Sequence, residues 1–188
     1  MSSDDQFETI VSDHYEPLFR FAMSLTHVES DAWDLTQQTF YIFATKGHQL
    51  RDFAKVKTWL FTTLHRSFLK ARRKQSRFPQ HDLDEIAELP APAVELANEL
   101  DSSQVLAALA DVDEVYQAAV ALFYLEDCPY RNIAEILEVP IGTVKSRIAR
   151  GIAQLRQILL SSEPQAASRD TAEWDFSSTF LPEPVGKF

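Results

Sequence analysis

YRNIAEILEVPIGTVKSRIARGIAQLRQILL, residues 130–160, reads as two helices joined by a short turn, the second of them basic. In the second helix Val144, Ile148, Ile152, Leu155 and Leu159 recur at steps of three and four, so they share one stripe that can be buried together. The opposite face carries Thr143, Ser146 and Arg150, flanked by Lys145 and Arg147. Ile141-Gly142-Thr143 is the expected start, with glycine easing the turn, Thr143 as cap, and free backbone N–H groups open to a phosphate. The first helix, 130–137, offers Ile133, Ala134 and Leu137 as its inner face, and Pro129 suits its first turn. This is the layout of a helix-turn-helix, in which arginine and lysine hold phosphates or reach base edges. Amphipathic basic helices after a Pro-containing turn also occur in bundles that touch no DNA, and spacing alone leaves both readings open.

The rest of the chain narrows the choice. Its 188 residues have room for one to two small domains, and 45% hydrophobic content is enough to fill their cores. Glycine is rare at 4 residues and strand-like alternation is scarce, so an all-α protein is expected. No apolar run approaches membrane-spanning length, and the N-terminal MSSDDQFE is acidic where a secretory signal would be basic, so a cytoplasmic location without membrane insertion is expected. Cys128 is the only cysteine and the five histidines are scattered, giving no ligand spacing for a metal and no cofactor motif. No acid-base, nucleophile or phosphate-loop pattern points to an enzyme.

The net charge of −10 is divided unevenly. Residues 1–80 hold 11 Lys and Arg against 9 Asp and Glu; residues 81–93 hold 4 acids and no base; residues 94–160 hold 5 bases against 10 acids. Nine basic residues lie between Arg51 and Arg77, which concentrates the positive field there. Because non-specific DNA affinity comes mainly from phosphate neutralisation, so acidic a chain fits a reader of DNA that is held by a larger machine.

In register, the IAE, the VP-GTVKSR and the downstream LR of residues 130–156 resemble region 4 of sigma factors, particularly the compact extracytoplasmic-function (ECF) group. That resemblance implies minus-thirty-five promoter contacts from Thr143, Lys145, Ser146, Arg147 and Arg150. It places Cys128 at a usually apolar position, as a buried thiol. Glu138 occupies a turn position where the family commonly has glycine, and Val112-Asp113 replaces its usual Leu-Pro.

From Phe7 to Leu25 apolar residues follow helical spacing, with Pro17 a kink or break. A second helix, from about 31 to 46, gathers Leu35, Thr39, Phe40, Ile42 and Phe43 on one side and Asp34, Gln38, Tyr41 and Thr45 on the other. A solvated face explains such a stripe without further function. The order DAWDLTQQTFYIFATK, however, resembles sigma region 2.2, the helix that grips the clamp of RNA polymerase. The resemblance implies polymerase binding through Asp34, Gln37, Gln38 and Tyr41, while Trp33 and Gln38 depart from commonly acidic positions.

FAKVKTWLFTTLHRSFLKARRKQSR, residues 53–77, joins an aromatic group (Phe53, Trp59, Phe61, Phe68) to a basic run. Aromatic faces stack on unpaired bases while cations follow the backbone. The spacing of Trp59, Leu60, Leu64 and Phe68 suits a buried stripe, and these four are expected in the core. The segment resembles sigma regions 2.3 and 2.4, which melt the minus-ten element; this implies DNA contacts from Trp59, Arg66, Lys70, Arg72, Arg73, Lys74 and Arg77. Arg66 and Lys70 stand where asparagine and aspartate are common, so the family's base preference does not transfer.

The expected division is a region 2 domain at 1–78, a flexible acidic linker at 79–93, a four-helix region 4 domain at 94–160 with a break near 111–113, and a C-terminal extension at 161–188. The extension is rich in Ser, Pro and acids yet contains Trp174, Phe176, Phe180 and Leu181, which suggests docking on a sigma domain or a regulator such as an anti-sigma factor. The resemblance as a whole implies a non-enzymatic promoter-specificity subunit whose partners are core RNA polymerase and promoter DNA. The alternative is a sigma-like decoy that occupies an anti-sigma factor without binding DNA, for which the basic clusters would serve no purpose.

Overall fold

The computed structural model describes residues 3–50, 52–75 and 102–161, and the elements among them are helices and short 3-10 turns. The linker 79–93, Arg77, residues 94–101 and the extension from 162 lie outside the described residues. The N-terminal half is a bundle of α1 (Ser3–Thr26), α2 (Glu29–Lys46) and α3 (Val56–Gln75), and the C-terminal half comprises α4 (Ser102–Leu109), α5 (Glu114–Tyr124), α6 (Tyr130–Leu137) and α7 (Ile141–Ser161).

Helix α1 runs through Pro17 without a break, burying Leu18, Phe21, Ala22 and Leu25 against α2 and α3. The buried hydroxyls of Ser24, Thr36 and Thr39 donate to the carbonyls of Phe21, Ala32 and Leu35 at 2.7–2.8 Å, which meets their hydrogen-bonding need inside the core. Tyr15, Phe19, Trp33 and Phe40 form an aromatic cluster with ring centroids 5.9–6.4 Å apart. Trp33 therefore contributes packing area to this cluster. Phe61, placed by sequence among base-stacking aromatics, is fully buried against Phe21 instead, while Leu60, Leu64 and Phe68 are core as their spacing requires. Among the aromatics grouped there, Phe53 remains exposed and Trp59 half-buried, edge-on to Phe43 at 5.5 Å.

In the C-terminal half, α5 packs along α7 so closely that Gly151 is required: a β-carbon there would overlap Val120 Cγ2 and lie 3.0 Å from Tyr116 Cβ. The break between α4 and α5 falls at 110–113, where Val112 is buried and Asp113 exchanges two hydrogen bonds with Gln154 of α7. Ile133, Ile136 and Leu137 form the inner face of α6, with Ala134 only half-buried.

Three local expectations change. Pro129 caps α6 from outside, in extended conformation, rather than entering its first turn; its carbonyl accepts from the amides of Asn132 and Ile133. Helix α7 begins at Ile141, so Thr143 lies inside the first turn and is not its cap. The left-handed residue of the turn is Glu138, at φ 57° and ψ 42°, and not Gly142, whose φ is ordinary. An L side chain at such a φ costs on the order of 1 kcal/mol, and the turn's own bonds offset it, since the amides of Glu138 and Val139 both donate to the Ala134 carbonyl as α6 ends.

The two halves are not held apart. Helix α3 packs on α6, and α1 packs on α5 and α4, giving one continuous core.

Candidate functional site

Two faces carry the residues singled out by sequence. On α2, Asp34, Gln37, Gln38 and Tyr41 are all exposed, with Tyr41 71% exposed, while Ala32, Leu35, Thr36, Thr39, Phe40 and Phe43 fill the buried side. An aromatic ring standing so far into solvent, beside a carboxylate and two amides, is suited to a protein partner rather than to this fold's own packing. Asp34 and Gln38 also line a cleft of about 490 Å³ with Leu25, His27, Phe68 and Arg72.

On α7, Lys145 is exposed, and Thr143, Ser146, Arg147 and Arg150 are half-buried. The Ser146 hydroxyl donates to the Thr143 carbonyl at 3.0 Å, which spends one of its bonding directions within the helix. No atom outside the neighbouring chain approaches within 4 Å of where a Gly142 β-carbon would sit, so the start of the basic helix is open to a large ligand. The unsatisfied amides and positive dipole end of the first turn add to the attraction for an anion.

The basic residues of α3 are split. Lys70, Arg73 and Lys74 are exposed. Arg66 makes a two-pronged pair with Glu138, Nε to Oε2 at 3.0 Å and Nη2 to Oε1 at 2.5 Å. This bond pulls the Glu138 carboxyl below its ordinary value and raises the Arg66 guanidinium. Arg72 pairs with Glu114 at the start of α5 and lies over the Phe68 ring at 5.7 Å.

Sequence reasoning missed the residues that join the halves. Arg20 of α1 donates to the Glu126 carboxylate at 3.2–3.3 Å and also to Glu16 of its own helix, and Lys57 Nζ donates to the Glu126 carbonyl at 3.0 Å. Glu126 is 5% exposed, and desolvation raises its carboxyl to about 7 although Arg20 and Lys57 pull it down. His65 of α3 is pushed down to about 4, by burial first and by the charge of Arg147 second. No periodicity in the sequence could mark Glu126 or Arg20, because their significance depends on a partner about a hundred residues away.

A helical bundle with an exposed polar face on α2, packed on a helix-turn-helix with a basic second helix, defines a two-module DNA-binding architecture. Residues 10–78 match the Sigma-70 region 2 family and residues 102–155 match Sigma-70, region 4. The chain belongs to the sigma-70 family and, within it, to the ECF sigma factors. It is 31% identical to the ECF RNA polymerase sigma factor SigE of Mycolicibacterium smegmatis over 86% of this chain and 64% of that protein. It is 28% identical to the ECF RNA polymerase sigma factor SigM of Bacillus subtilis over 84% of this chain and 95% of that one. Among solved structures, the sigma factor RpoE in complex with the anti-sigma factor NepR from Bartonella quintana superposes with a TM-score of 0.66 at 27% identity, covering 84% of this chain and 98% of that chain.

Proposed function

We propose that this chain directs core RNA polymerase to specific promoters and helps melt them, acting as a transcription initiation factor and not as an enzyme. The work divides between residues 1–78, which bind core polymerase and the minus-ten element, and residues 94–160, which read the minus-thirty-five element. Polymerase is gripped through Asp34, Gln37, Gln38 and Tyr41. Trp59, Arg66, Lys70, Arg72, Arg73, Lys74 and Arg77 contact the opened minus-ten strand, and Thr143, Lys145, Ser146, Arg147 and Arg150 hold the upstream duplex. The observation that carries this reading is the exposed polar face of α2 and the open basic start of α7 in one chain that matches both sigma regions. No helix among the described residues is long and apolar enough to cross a membrane, which accords with work beside cytoplasmic polymerase.

The test is run-off transcription from a genomic DNA library with core polymerase, comparing the natural chain with Arg147→Ala and Arg150→Ala. Promoter-dependent transcripts that weaken in both variants are expected. Their absence with the natural chain would favour the decoy. Tyr41→Ala is expected to lower affinity for core polymerase about tenfold or more, on the scale of an aromatic interface anchor, while leaving the unfolding midpoint in place.

A further inference from the structure

The cations of α3 fall into two sets. Arg66 and Arg72 pair across the seam between the halves with Glu138 and Glu114, whereas Lys70, Arg73 and Lys74 are exposed and make no ion pair among the described residues. Lys70 lies one helical turn from Arg66, Arg73 and Lys74, a spacing at which like charges repel. The aliphatic stems of these residues and the Arg73 guanidinium can carry a flat ring as well as a carboxylate.

The C-terminal extension holds a segment of matching chemistry. In DTAEWDF, residues 170–176, the acids Asp170, Glu173 and Asp175 stand with Trp174 and Phe176 and with no base, and from 173 to 176 acid and aromatic alternate. Single-stranded DNA would offer α3 the same two features, an anionic backbone and flat rings. The linker is acidic too, but residues 79–93 contain no Phe, Trp or Tyr. The reach is sufficient. Helix α7 ends at Ser161, about 10 Å along its axis from Gln154. Gln154 is bonded to Asp113, whose neighbour Glu114 is bonded to Arg72 of α3. The eight residues between Ser161 and Asp170 can span up to about 30 Å, enough to bring the segment from the end of α7 to Lys70, Arg73 and Lys74.

We propose that residues 170–176 of the extension dock on the unpaired cations of α3, acids on Lys70, Arg73 and Lys74 and rings against their stems, and hold the place of the minus-ten strand until DNA displaces them. This rests on the reading of Lys70, Arg73 and Lys74 as DNA contacts. Ion pairs at exposed positions are weak and screened by salt, so a longer polyanion displaces the segment.

The test uses the full chain. With the photo-crosslinker p-benzoylphenylalanine in place of Phe176, irradiation is expected to join the extension to α3 within one chain, and Lys70→Glu with Arg73→Glu is expected to abolish that link and to weaken DNA binding. A labelled single-stranded DNA 12-mer, read by fluorescence anisotropy at low salt, is expected to bind roughly three- to tenfold more tightly to Glu173→Gln with Asp175→Asn than to a control of equal net charge, since apparent affinity scales with the unoccupied fraction. The control is Glu8→Gln with Asp13→Asn, at exposed positions of α1. A link to another helix or between two chains, or equal DNA binding by the acid variant and the control, overturns the proposal. If Lys70→Glu with Arg73→Glu still weakens DNA binding in that case, the reading of α3 stands without it. A link to α3 with no variant altering DNA binding overturns the assignment of these cations to DNA, and with it the competition.

Discussion

Glu126 and His65 give the seam opposite responses to acid. Burial lifts the Glu126 carboxyl from 4.5 to about 7, with Arg20 and Lys57 opposing and Asp127 adding to the rise. The folded chain thus binds the extra proton between those values, and this group's contribution to stability is greatest below about 4.5 and is lost as pH rises towards 7. His65 is lowered from 6.5 to about 4, with Arg147 adding to the fall and Glu138 opposing it. Its contribution is present above 6.5 and is lost as pH falls towards 4. The two offset each other in the natural chain and separate by mutation. Between pH 7 and 5, His65→Gln is expected to gain stability on acidification and Glu126→Gln to lose it, each by about 1–3 kcal/mol in urea unfolding. Slopes of the same sign in both variants would refute the assignment. The residue scale was the least legible in sequence: Arg20 and Glu126 look like ordinary surface charges until the fold brings them to 3.2 Å.

Helix α7 places its two glycines in opposite circumstances. Gly151→Ala drives a methyl into Val120 and Tyr116, and a net loss of about 1–3 kcal/mol is expected although alanine is the better helix former. Gly142→Ala meets nothing within 4 Å and is expected to raise stability by roughly 0.5–1 kcal/mol. If Gly142 faces promoter phosphates, the same variant weakens binding of the minus-thirty-five duplex by polymerase holoenzyme. Thermal unfolding and duplex binding together check the pair. At this scale the sequence was informative. The bounds of α6 follow from its apolar spacing, and Ile148, Ile152 and Leu155 are buried as their period requires. The turn was half legible: Glu138, at a position where the resemblance has glycine, is the left-handed residue, whereas Gly142 has an ordinary φ and eases nothing.

For the whole molecule, so acidic a sigma factor is expected to bind promoter DNA poorly without core polymerase. In the holoenzyme, Lys145→Ala at a phosphate should reduce the salt dependence by about one unit of slope and weaken all promoters alike. Arg147→Ala or Arg150→Ala, at a base edge, should instead cost about 1–3 kcal/mol at one promoter position. Binding measured at several salt concentrations on two promoter sequences separates the two behaviours, and an equal salt effect with no base selectivity for all three would leave the minus-thirty-five reading without a specificity element.

The sequence by itself determined the helices and the two sigma regions, because helix periodicity and the helix-turn-helix pattern are local properties of contiguous residues. It also determined which face of α2 is polar and where α7 is basic. Tertiary structure alone decided that Phe61 is core and that the acids of the second half sit on the arginines of the first. Those pairings join side chains that lie far apart in the chain, and only packing of α1 and α3 against α4, α5 and α6 brings them within bonding distance.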